Sequence, residues 1–151
     1  MSIDSSDIRA AISSDLKDIV TLAKLNNLGL TVTQIRRLLE NGLNNFNLLT
    51  INDRLVGFAI SGDCVVSEVS LMHLLVDSEY RGLGLGAKLV SENLKLWKEK
   101  GAGRCLLEVR ISNKGAQEFY TKIGFIVDGF RPNYYSTTGS REDAVLMSLA
   151  F

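Results

Sequence analysis

VDSEYRGLGLGA, residues 76–87, is the stretch of sequence that decides the fold. The run that leads into it, Leu71–Val76, is almost continuously apolar, which is typical of a strand buried on both faces. The run that follows has apolar side chains at helical spacing, at Leu85, Leu89, Val90, Leu94 and Trp97. Glycines at such a junction let the backbone approach a ligand closely, and a helix N-terminus offers unpaired N–H groups. The stretch therefore predicts a cradle for a pyrophosphate.

Two nucleotide-binding patterns fit these glycines, and a turn that merely redirects the chain is a third interpretation. Gly82-x-Gly84-x-x-Ala87 satisfies the dinucleotide fingerprint, with Glu108 as the acid that would bind a ribose. A dinucleotide fold usually needs several parallel strands after the loop, and only about 65 residues follow it. Arg81-x-x-Gly84-x-Gly86, set after a long strand in mid-chain, fits the context better. Three alternate glycines also exceed what a simple turn needs.

The rest of the chain predicts a mixed α/β sheet with helices on its faces, in a single domain spanning residues 1–151. The expected order is β-α-α-β-β-β-α-β-α-β-β. In chain order, the expected landmarks are a strand at Ile8–Ile12, a helix cap at Ser13-Ser14-Asp15, a capping box at Thr31 and Gln34, a helix end at Gly42, a hairpin of Phe46–Ile51 and Arg54–Ile60, a strand at Val65–Val76, a strand at Cys105–Ile111, a helix capped by Ser112 or Asn113 and ended by Gly124, a strand that begins at Phe125–Asp128, and a last strand at Asp143–Leu149.

Composition excludes several classes of function. Seventeen basic residues balance seventeen acidic ones, so neutralisation of nucleic-acid phosphates is not expected. No apolar run reaches the roughly 18 residues of a membrane span, and no secretory signal is visible at the N-terminus. Cys64 and Cys105 lack a C-x-x-C pattern and His73 is the only histidine, so no metal site is expected. We expect a cytoplasmic protein with reduced thiols.

Three segments between Glu68 and Leu149 resemble a known family. They are Arg81–Gly86, then Leu107–Asn113 followed by Phe119–Phe125, and finally Arg131–Tyr135 with Arg141–Ala144 and Met147. The first resembles the coenzyme A signature of the Gcn5-related N-acetyltransferases (GNAT superfamily). The last most resembles the bacterial ribosomal-protein alanine N-acetyltransferases, the RimI type. The resemblance implies the GNAT acyl-CoA N-acyltransferase fold and acetyl-coenzyme A as co-substrate, without a metal.

The resemblance also implies which residues bind the co-substrate. The strand that ends near Val76 would pair its main chain with the pantetheine arm, and the glycine loop would hold the pyrophosphate. The side chain of Asn113 would contact the co-substrate as well. The implied binding residues are Leu74, Leu75, Val76, Arg81, Gly82, Leu83, Gly84, Leu85, Gly86, Ala87 and Asn113.

Acetyl transfer to an amine needs a neutral amine and a protonated leaving thiolate. An α-amine with a pKa of about 8 is roughly one-tenth neutral at pH 7, so a carboxylate base serves it, directly or through one water. Glu108 is the candidate base, because its apolar strand neighbours would desolvate it and raise its pKa. Tyr120 is the candidate acid, and a backbone N–H near Val76 would polarise the thioester carbonyl.

Each of these residues also has a structural interpretation. Glu108 could pair with Arg110 or Lys114, Tyr120 could be simple core, and Asn113 could only cap a helix. The pair Tyr134-Tyr135 could pack at a strand edge, whereas the resemblance places it beside the acceptor peptide.

The chain departs from the family pattern in its first 60 residues and in the loop. The usual Pro-Trp-Ser-like entry to the second helix is replaced by Leu28-Gly29-Leu30-Thr31, and His73 stands where Asn is common. Gly82, Leu83 and Ala87 stand where relatives often carry arginines, so Arg81 and Lys88 are the nearby cations. We therefore expect backbone N–H groups to bind the phosphates, with modest affinity and weak salt dependence.

The acceptor implied by the resemblance is a protein N-terminal α-amine, the N-terminal alanine of the eighteenth small-subunit ribosomal protein. Two alternatives stay open at this point. One keeps the fold and changes the acceptor to a lysine or a small amine. The other is a module that senses acetyl-coenzyme A without turnover, against which the presence of both Glu108 and Tyr120 argues. The sequence gives no oligomeric state.

Overall fold

The computed structural model describes residues 5–151, which form two compact units. The first unit comprises residues 5–63 and 71–96, and the second comprises residues 64–70 and 97–151. The elements, in chain order, are β1 (Ser6–Ala10), α1 (Leu16–Leu25), α2 (Val32–Glu40), β2 (Asn45–Ile51), β3 (Arg54–Ser61), β4 (Glu68–Val76), α3 (Leu85–Glu99), β5 (Arg104–Arg110), α4 (Lys114–Ile123), β6 (Ile126–Thr137) and β7 (Ser140–Ala150). The predicted order of strands and helices is confirmed.

The strand order is β1-β2-β3-β4-β5-β7-β6. Every neighbouring pair is antiparallel except β4 and β5, whose residues 68–70 and 104–106 pair in parallel. The sheet is therefore mixed, as the sequence predicts. No helix within residues 5–151 combines the length and the apolar character that a membrane crossing requires.

The first unit buries its core between α1, α2 and the sheet of β1 to β4. Ile19 of α1 and Ile35 of α2 are almost fully buried, and they belong to one cluster with strand residues. Within that cluster, the rings of Phe46 and Phe58 lie 5.5 Å apart. The predicted hairpin between β2 and β3 is confirmed, and its Asn52 and Asp53 both adopt positive φ, at 49° and 63°.

The two helices of this unit begin in different ways. At α2 the predicted capping box is confirmed, because the Gln34 N–H donates to Thr31 Oγ1 (3.1 Å) and the Thr31 N–H donates to Gln34 Oε1 (2.8 Å). At α1, Asp15 precedes the helix without capping it. Its carboxylate instead accepts the Ile12 N–H and both terminal nitrogens of Arg9, each at 2.8 Å. The Arg9 hydrogen bond, above all, lowers the pKa of Asp15.

Strand β4 differs from the prediction in its start. The sequence predicts a strand that begins at Val65, but Val66 and Ser67 adopt φ of 49° and 63°, in the left-handed region. Val65 and Glu68 exchange backbone hydrogen bonds of 2.8 and 3.0 Å across these two residues. The β-branched valines therefore form a tight turn, although their type is typical of strands.

The burial of β4 also differs from the prediction. Leu71–Val76 does not lie buried on both faces, because Met72 is 38% exposed and His73, Leu74 and Val76 are only partly buried. Leu71 and Leu75 are buried. The remaining predicted ends differ by a few residues: β1 is displaced toward the N-terminus, α2 ends before Asn41, and β7 is longer at both ends.

In the second unit, β5 divides its side chains between two faces of the sheet. Cys105, Leu107 and Val109 are buried on one face, whereas Glu108 and its neighbours at alternate positions are more exposed on the other. Strand β6 has β7 as its one strand partner among the described residues, and its register shifts between Arg131 and Tyr135. That shift makes a bulge at residues 132–134.

Candidate functional site

The glycine loop follows the last residue of β4. Its start is fixed, because the buried Asp77 donates its N–H to the Val56 carbonyl at 2.8 Å. Gly82 and Gly84 adopt φ of 77° and 76°, which side-chain-bearing residues rarely adopt. A Cβ added at either glycine would meet nothing within 4 Å. These glycines are therefore required by backbone conformation, and the space beside them is open.

The start of α3 provides hydrogen-bond donors beside that open space. The Lys88 N–H donates to the Gly84 carbonyl at 3.0 Å, in the first turn of this 15-residue helix. The N–H groups of residues 85–87 precede this bond and so have no acceptor within the helix. Backbone donors and the positive end of the helix dipole are what a phosphate needs, so this loop fits a pyrophosphate.

The two cations near the loop are engaged by protein acceptors. Arg81 Nε donates to the Val76 carbonyl at 3.0 Å, and its Nη2 lies 3.5 Å from Asn26 Oδ1. Lys88 Nζ donates to the carbonyl and the hydroxyl of Ser6, at 2.9 and 2.6 Å. Both side chains thus bind acceptors of the protein itself, so we expect the main-chain N–H groups to be the chief anion donors of the loop.

Glu108 lies on the exposed face of β5, where Arg131 is its ionic partner. Arg131 Nη1 is 3.2 Å from Glu108 Oε1, and 31% of the Glu108 side chain is exposed. The alternative that Glu108 pairs with Arg110 is wrong, because Arg110 Nη1 lies 3.3 Å from Glu142 Oε2. The apolar neighbours expected to desolvate the carboxylate, Leu107 and Val109, point to the opposite face.

Tyr134 completes the surroundings of Glu108. Its hydroxyl donates to the Glu108 carboxylate, and that hydrogen bond, reinforced by the carboxylate's charge, raises the pKa of Tyr134. The Arg131 guanidinium lies 4.7 Å from the centre of the Tyr134 ring. The Glu108 carboxylate thus interacts with the Arg131 guanidinium and the Tyr134 hydroxyl, and it stays partly exposed to solvent.

Tyr120 lies in apolar surroundings on α4. Its ring packs edge-on against Phe119 and Phe125, with centroid distances of 5.1 and 5.4 Å. Burial, followed by the electrostatic effect of Cys105, raises the pKa of Tyr120 above its ordinary value. The phenol is therefore protonated at neutral pH and is a hydrogen-bond donor as well as part of the core.

A family model described as Acetyltransferase (GNAT) family matches residues 23–125, which is more than half of the chain. The chain belongs to the GNAT acetyltransferase family. It is an N-acetyltransferase, and acetyl-coenzyme A is its co-substrate.

Relatives of this acetyltransferase act on ribosomal proteins, according to their names. The ribosomal protein bS18-alanine N-acetyltransferase of Escherichia coli (strain K12) is 39% identical over 105 residues, which are 70% of each chain. A putative enzyme of the same name from Bacillus subtilis (strain 168) is 37% identical over 110 residues, 73% of this chain and 71% of that one. The crystal structure of the ribosomal-protein-S18-alanine N-acetyltransferase from Escherichia coli matches with a TM-score of 0.86 at 29% identity, covering 96% of this chain and 93% of that chain.

The groups around Glu108 are Arg131 and Tyr134, whereas the ring of Tyr120 packs against Phe119 and Phe125. Asn113 caps α4, because its Oδ1 accepts the Ala116 N–H at 3.1 Å, and the capping interpretation is confirmed. Its contact with the co-substrate stays a prediction.

Two residues near these sites were missed in the sequence. Arg131 was noted as part of a motif but not as the partner of Glu108, and Asn26 was not singled out at all. Their partners are distant in the chain, so spacing gives no signal for either contact.

His73, which is partly buried, has its pKa lowered by that burial. Across residues 5–151, no group of three or more His, Cys, Asp and Glu is placed to hold a metal ion.

Proposed function

We propose that this acetyltransferase modifies a protein N-terminus, and that its acceptor is the N-terminal alanine of ribosomal protein bS18. The observation that carries the proposal is the 39% identity, over 70% of both chains, to the Escherichia coli enzyme of that name. A ribosomal protein is made and assembled in the cytoplasm, so we place the enzyme there.

The co-substrate supplies an activated acetyl group as a thioester. We propose that the N–H groups of the loop and of the first turn of α3 bind its pyrophosphate, since they are donors without helical acceptors. We further propose that Arg81 acts on the loop rather than on phosphate, because its guanidinium is engaged by the Val76 carbonyl. Arg81 is therefore proposed to position the loop, and the other residues predicted from the sequence are proposed to bind the co-substrate directly: Leu74, Leu75, Val76, Gly82, Leu83, Gly84, Leu85, Gly86, Ala87 and Asn113.

Glu108 is the proposed general base. Its partial exposure leaves the carboxylate open to an incoming amine, and Arg131 and Tyr134 restrict its rotamers. An α-amine with a pKa of about 8 is roughly one-tenth neutral at pH 7. Its ammonium form therefore gives up a proton to a carboxylate base relatively easily. A lysine amine, with a pKa of about 10.4, is far less often neutral. This difference favours the α-amine as acceptor.

Tyr120 is the proposed donor to the departing sulfur. Burial keeps its phenol protonated, so the hydroxyl can donate a hydrogen bond as negative charge develops on a thiolate. Its raised pKa makes full proton transfer to a thiolate unfavourable, because a thiol is the stronger acid of the two. Stabilisation by hydrogen bonding, with the proton finally taken from solvent, is therefore the role that we assign.

A panel of acceptors tests the proposal. Purified protein and acetyl-coenzyme A are mixed with the N-terminal hexapeptide of bS18, the same peptide with a blocked α-amine and an internal lysine, and spermidine, and thiol release is followed. We expect turnover with the free α-amine peptide and little with the others. Faster turnover with spermidine or the lysine peptide would overturn the acceptor, and thiol release with none of them would favour a sensor.

A further inference from the structure

We propose that Asn26 is a positioning residue for the co-substrate loop, acting from the end of α1 on Ser78 and Arg81. This inference rests on the proposed role of the glycine loop. It concerns a residue that lies outside the loop and about 50 positions before it in the sequence. All of its contacts lie within the first unit.

Asn26 is itself held firmly by α1. It follows the last residue of that helix, and its Nδ2 donates to the Leu22 carbonyl at 3.0 Å. Its backbone N–H also donates to the Leu22 carbonyl, at 3.2 Å. The Nδ2 bond orients the planar side-chain amide and hence its oxygen, while the backbone bond holds the residue at the end of α1. The oxygen is therefore presented in one orientation.

That oxygen is an acceptor for the segment that begins the loop. The Ser78 N–H donates to Asn26 Oδ1 at 2.9 Å, in the short turn between β4 and the glycines. Asn26 Nδ2 also lies 3.5 Å from Oδ1 of Asp77, a residue that is only 7% exposed. The side chain thus contacts two consecutive residues of the chain immediately after β4.

Arg81 extends this contact to the edge of the glycines. Its Nη2 lies 3.5 Å from Asn26 Oδ1, while its Nε donates to the Val76 carbonyl at 3.0 Å. The guanidinium therefore spans from α1 to the end of β4. Because Arg81 directly precedes Gly82, its side chain sets the point from which the left-handed glycine turn begins.

The loop needs such a restraint from outside. Glycines reach many backbone conformations, so ordering them for a ligand has an entropic cost. The ion pair of Arg54 and Glu79 is a weak anchor, because it is 3.7 Å long and both side chains are largely exposed. A loop that is ordered before binding binds more tightly. Removal of the Asn26 amide should therefore weaken acetyl-coenzyme A binding more than it slows turnover at saturation.

The test compares Asn26→Ala with a matched substitution at the end of the other helix. Asn41 follows α2, and its Oδ1 accepts the Leu43 N–H at 3.0 Å, away from the loop. We expect Asn26→Ala to raise the Kd and the KM for acetyl-coenzyme A about tenfold, with kcat within about twofold of the parent. Asn41→Ala should leave the Kd unchanged. Calorimetric titration and steady-state kinetics measure these quantities.

A second set of variants covers the case in which Asn26→Ala folds poorly. Arg81→Met removes the same connection from the loop side, and the pair shares one network, so the effects should not add. We expect the double variant to bind acetyl-coenzyme A within about twofold of the weaker single variant, and amide hydrogen exchange to accelerate at Ser78 in each. If Asn26→Ala does not fold, the Kd of Arg81→Met for acetyl-coenzyme A and the rate of amide hydrogen exchange at Ser78 in that variant test the inference.

Three results would overturn the inference. They are an unchanged Kd in Asn26→Ala, an equal loss in Asn41→Ala, or penalties that multiply in the double variant. These outcomes are separable from failure of the proposed function. Tight binding of acetyl-coenzyme A without transfer to an alanine peptide would overturn the acceptor alone, and absence of binding in the parent would overturn both.

Discussion

Arg131 Nη1 lies 3.2 Å from Oε1 of Glu108, across the strand that separates them. Glu108 is paired with Leu146 of β7, and Arg131 with Ala144 of the same strand, two positions away. The small side chain of Ala144 leaves room for the guanidinium to reach across β7. The carboxylate that we assign as the base is thus oriented by a residue from another strand.

Replacement of Glu108 by Gln should slow acetyl transfer without weakening the binding of acetyl-coenzyme A. The amide keeps the size of the side chain but cannot take a proton, so we expect kcat to fall at least about a hundredfold. The Kd for acetyl-coenzyme A should stay within about twofold, because the loop that binds it is elsewhere in the chain. Glu118→Gln, on the exposed surface of α4, is the matched control and should behave as the parent. Parental turnover in Glu108→Gln would remove this residue from the mechanism.

Tyr120→Phe separates the hydroxyl from the ring. The ring contacts with Phe119 and Phe125 are retained, so we expect an unchanged Tm. Loss of the donor should lower kcat by about 10- to 100-fold. Tyr120→Ala, which also removes the ring, should cost about 3–5 kcal/mol of stability. Kinetics and thermal unfolding on both variants check this, and parental kcat in Tyr120→Phe would leave the residue a core role only.

Burial of the Tyr120 phenol also predicts how stability depends on pH. The folded protein holds this proton more tightly than the unfolded chain, since burial raises the pKa of Tyr120. The stability that follows is complete below about pH 10 and is lost as pH rises toward the folded-state pKa. We therefore expect the Tm of the parent to fall more steeply than that of Tyr120→Phe above about pH 10. Superimposable Tm profiles would contradict the buried phenol.

The glycine loop offers a pair of substitutions that separates strain from binding. Gly84 and Gly139 adopt φ of 76° and 79°, and a Cβ at either meets nothing within 4 Å. Alanine at each position should therefore cost a similar 1–2 kcal/mol, roughly, of stability. Only Gly84→Ala should weaken acetyl-coenzyme A binding, by distorting the loop. Equal binding by the two variants would argue against a role for this turn in holding phosphate.

The engagement of both nearby cations predicts weak dependence of binding on salt. Lys88 Nζ is held by Ser6 and Arg81 by Val76, so we expect backbone N–H groups to face the phosphates. We expect the Kd for coenzyme A to rise less than about threefold between 50 and 500 mM salt, since fewer full charges are screened. Lys88→Met should change this Kd little while lowering Tm. A steep rise of Kd with salt would show that free cations bind the phosphates.

Local features of the fold could be predicted from the sequence because neighbouring residues decide them. The Thr31 and Gln34 capping box and the Asn113 cap are contacts over three positions, and both appear as expected. The start of β4 could not be predicted, because Val66 and Ser67 adopt a left-handed conformation that their residue types disfavour. Only the surrounding structure overrides such a preference.

The candidate site was predictable to the extent that it lies in continuous motifs. The glycine loop is of this kind, and residues 82 and 84 adopt the conformations that glycine alone readily supplies. The partner of Glu108 is not, because sheet register brings Arg131 to it across another strand. The same holds for Asn26, whose reach depends on how α1 packs in its unit. The single domain expected over residues 1–151 stays a prediction.

The bulge at residues 132–134 has a second effect, on association between molecules. Strand β6 carries apolar side chains that are largely exposed at Ile126, Val127 and Phe130. A long, regular outer strand of this kind would offer a foreign chain a template to extend. Pro132 lacks an N–H, and Asn133 turns its own N–H inward to Asp143 at 2.8 Å, so the template is broken midway. Pro132 and Asn133, in the bulge that also contains Tyr134, thus make β6 a poorer edge for a foreign strand to pair with.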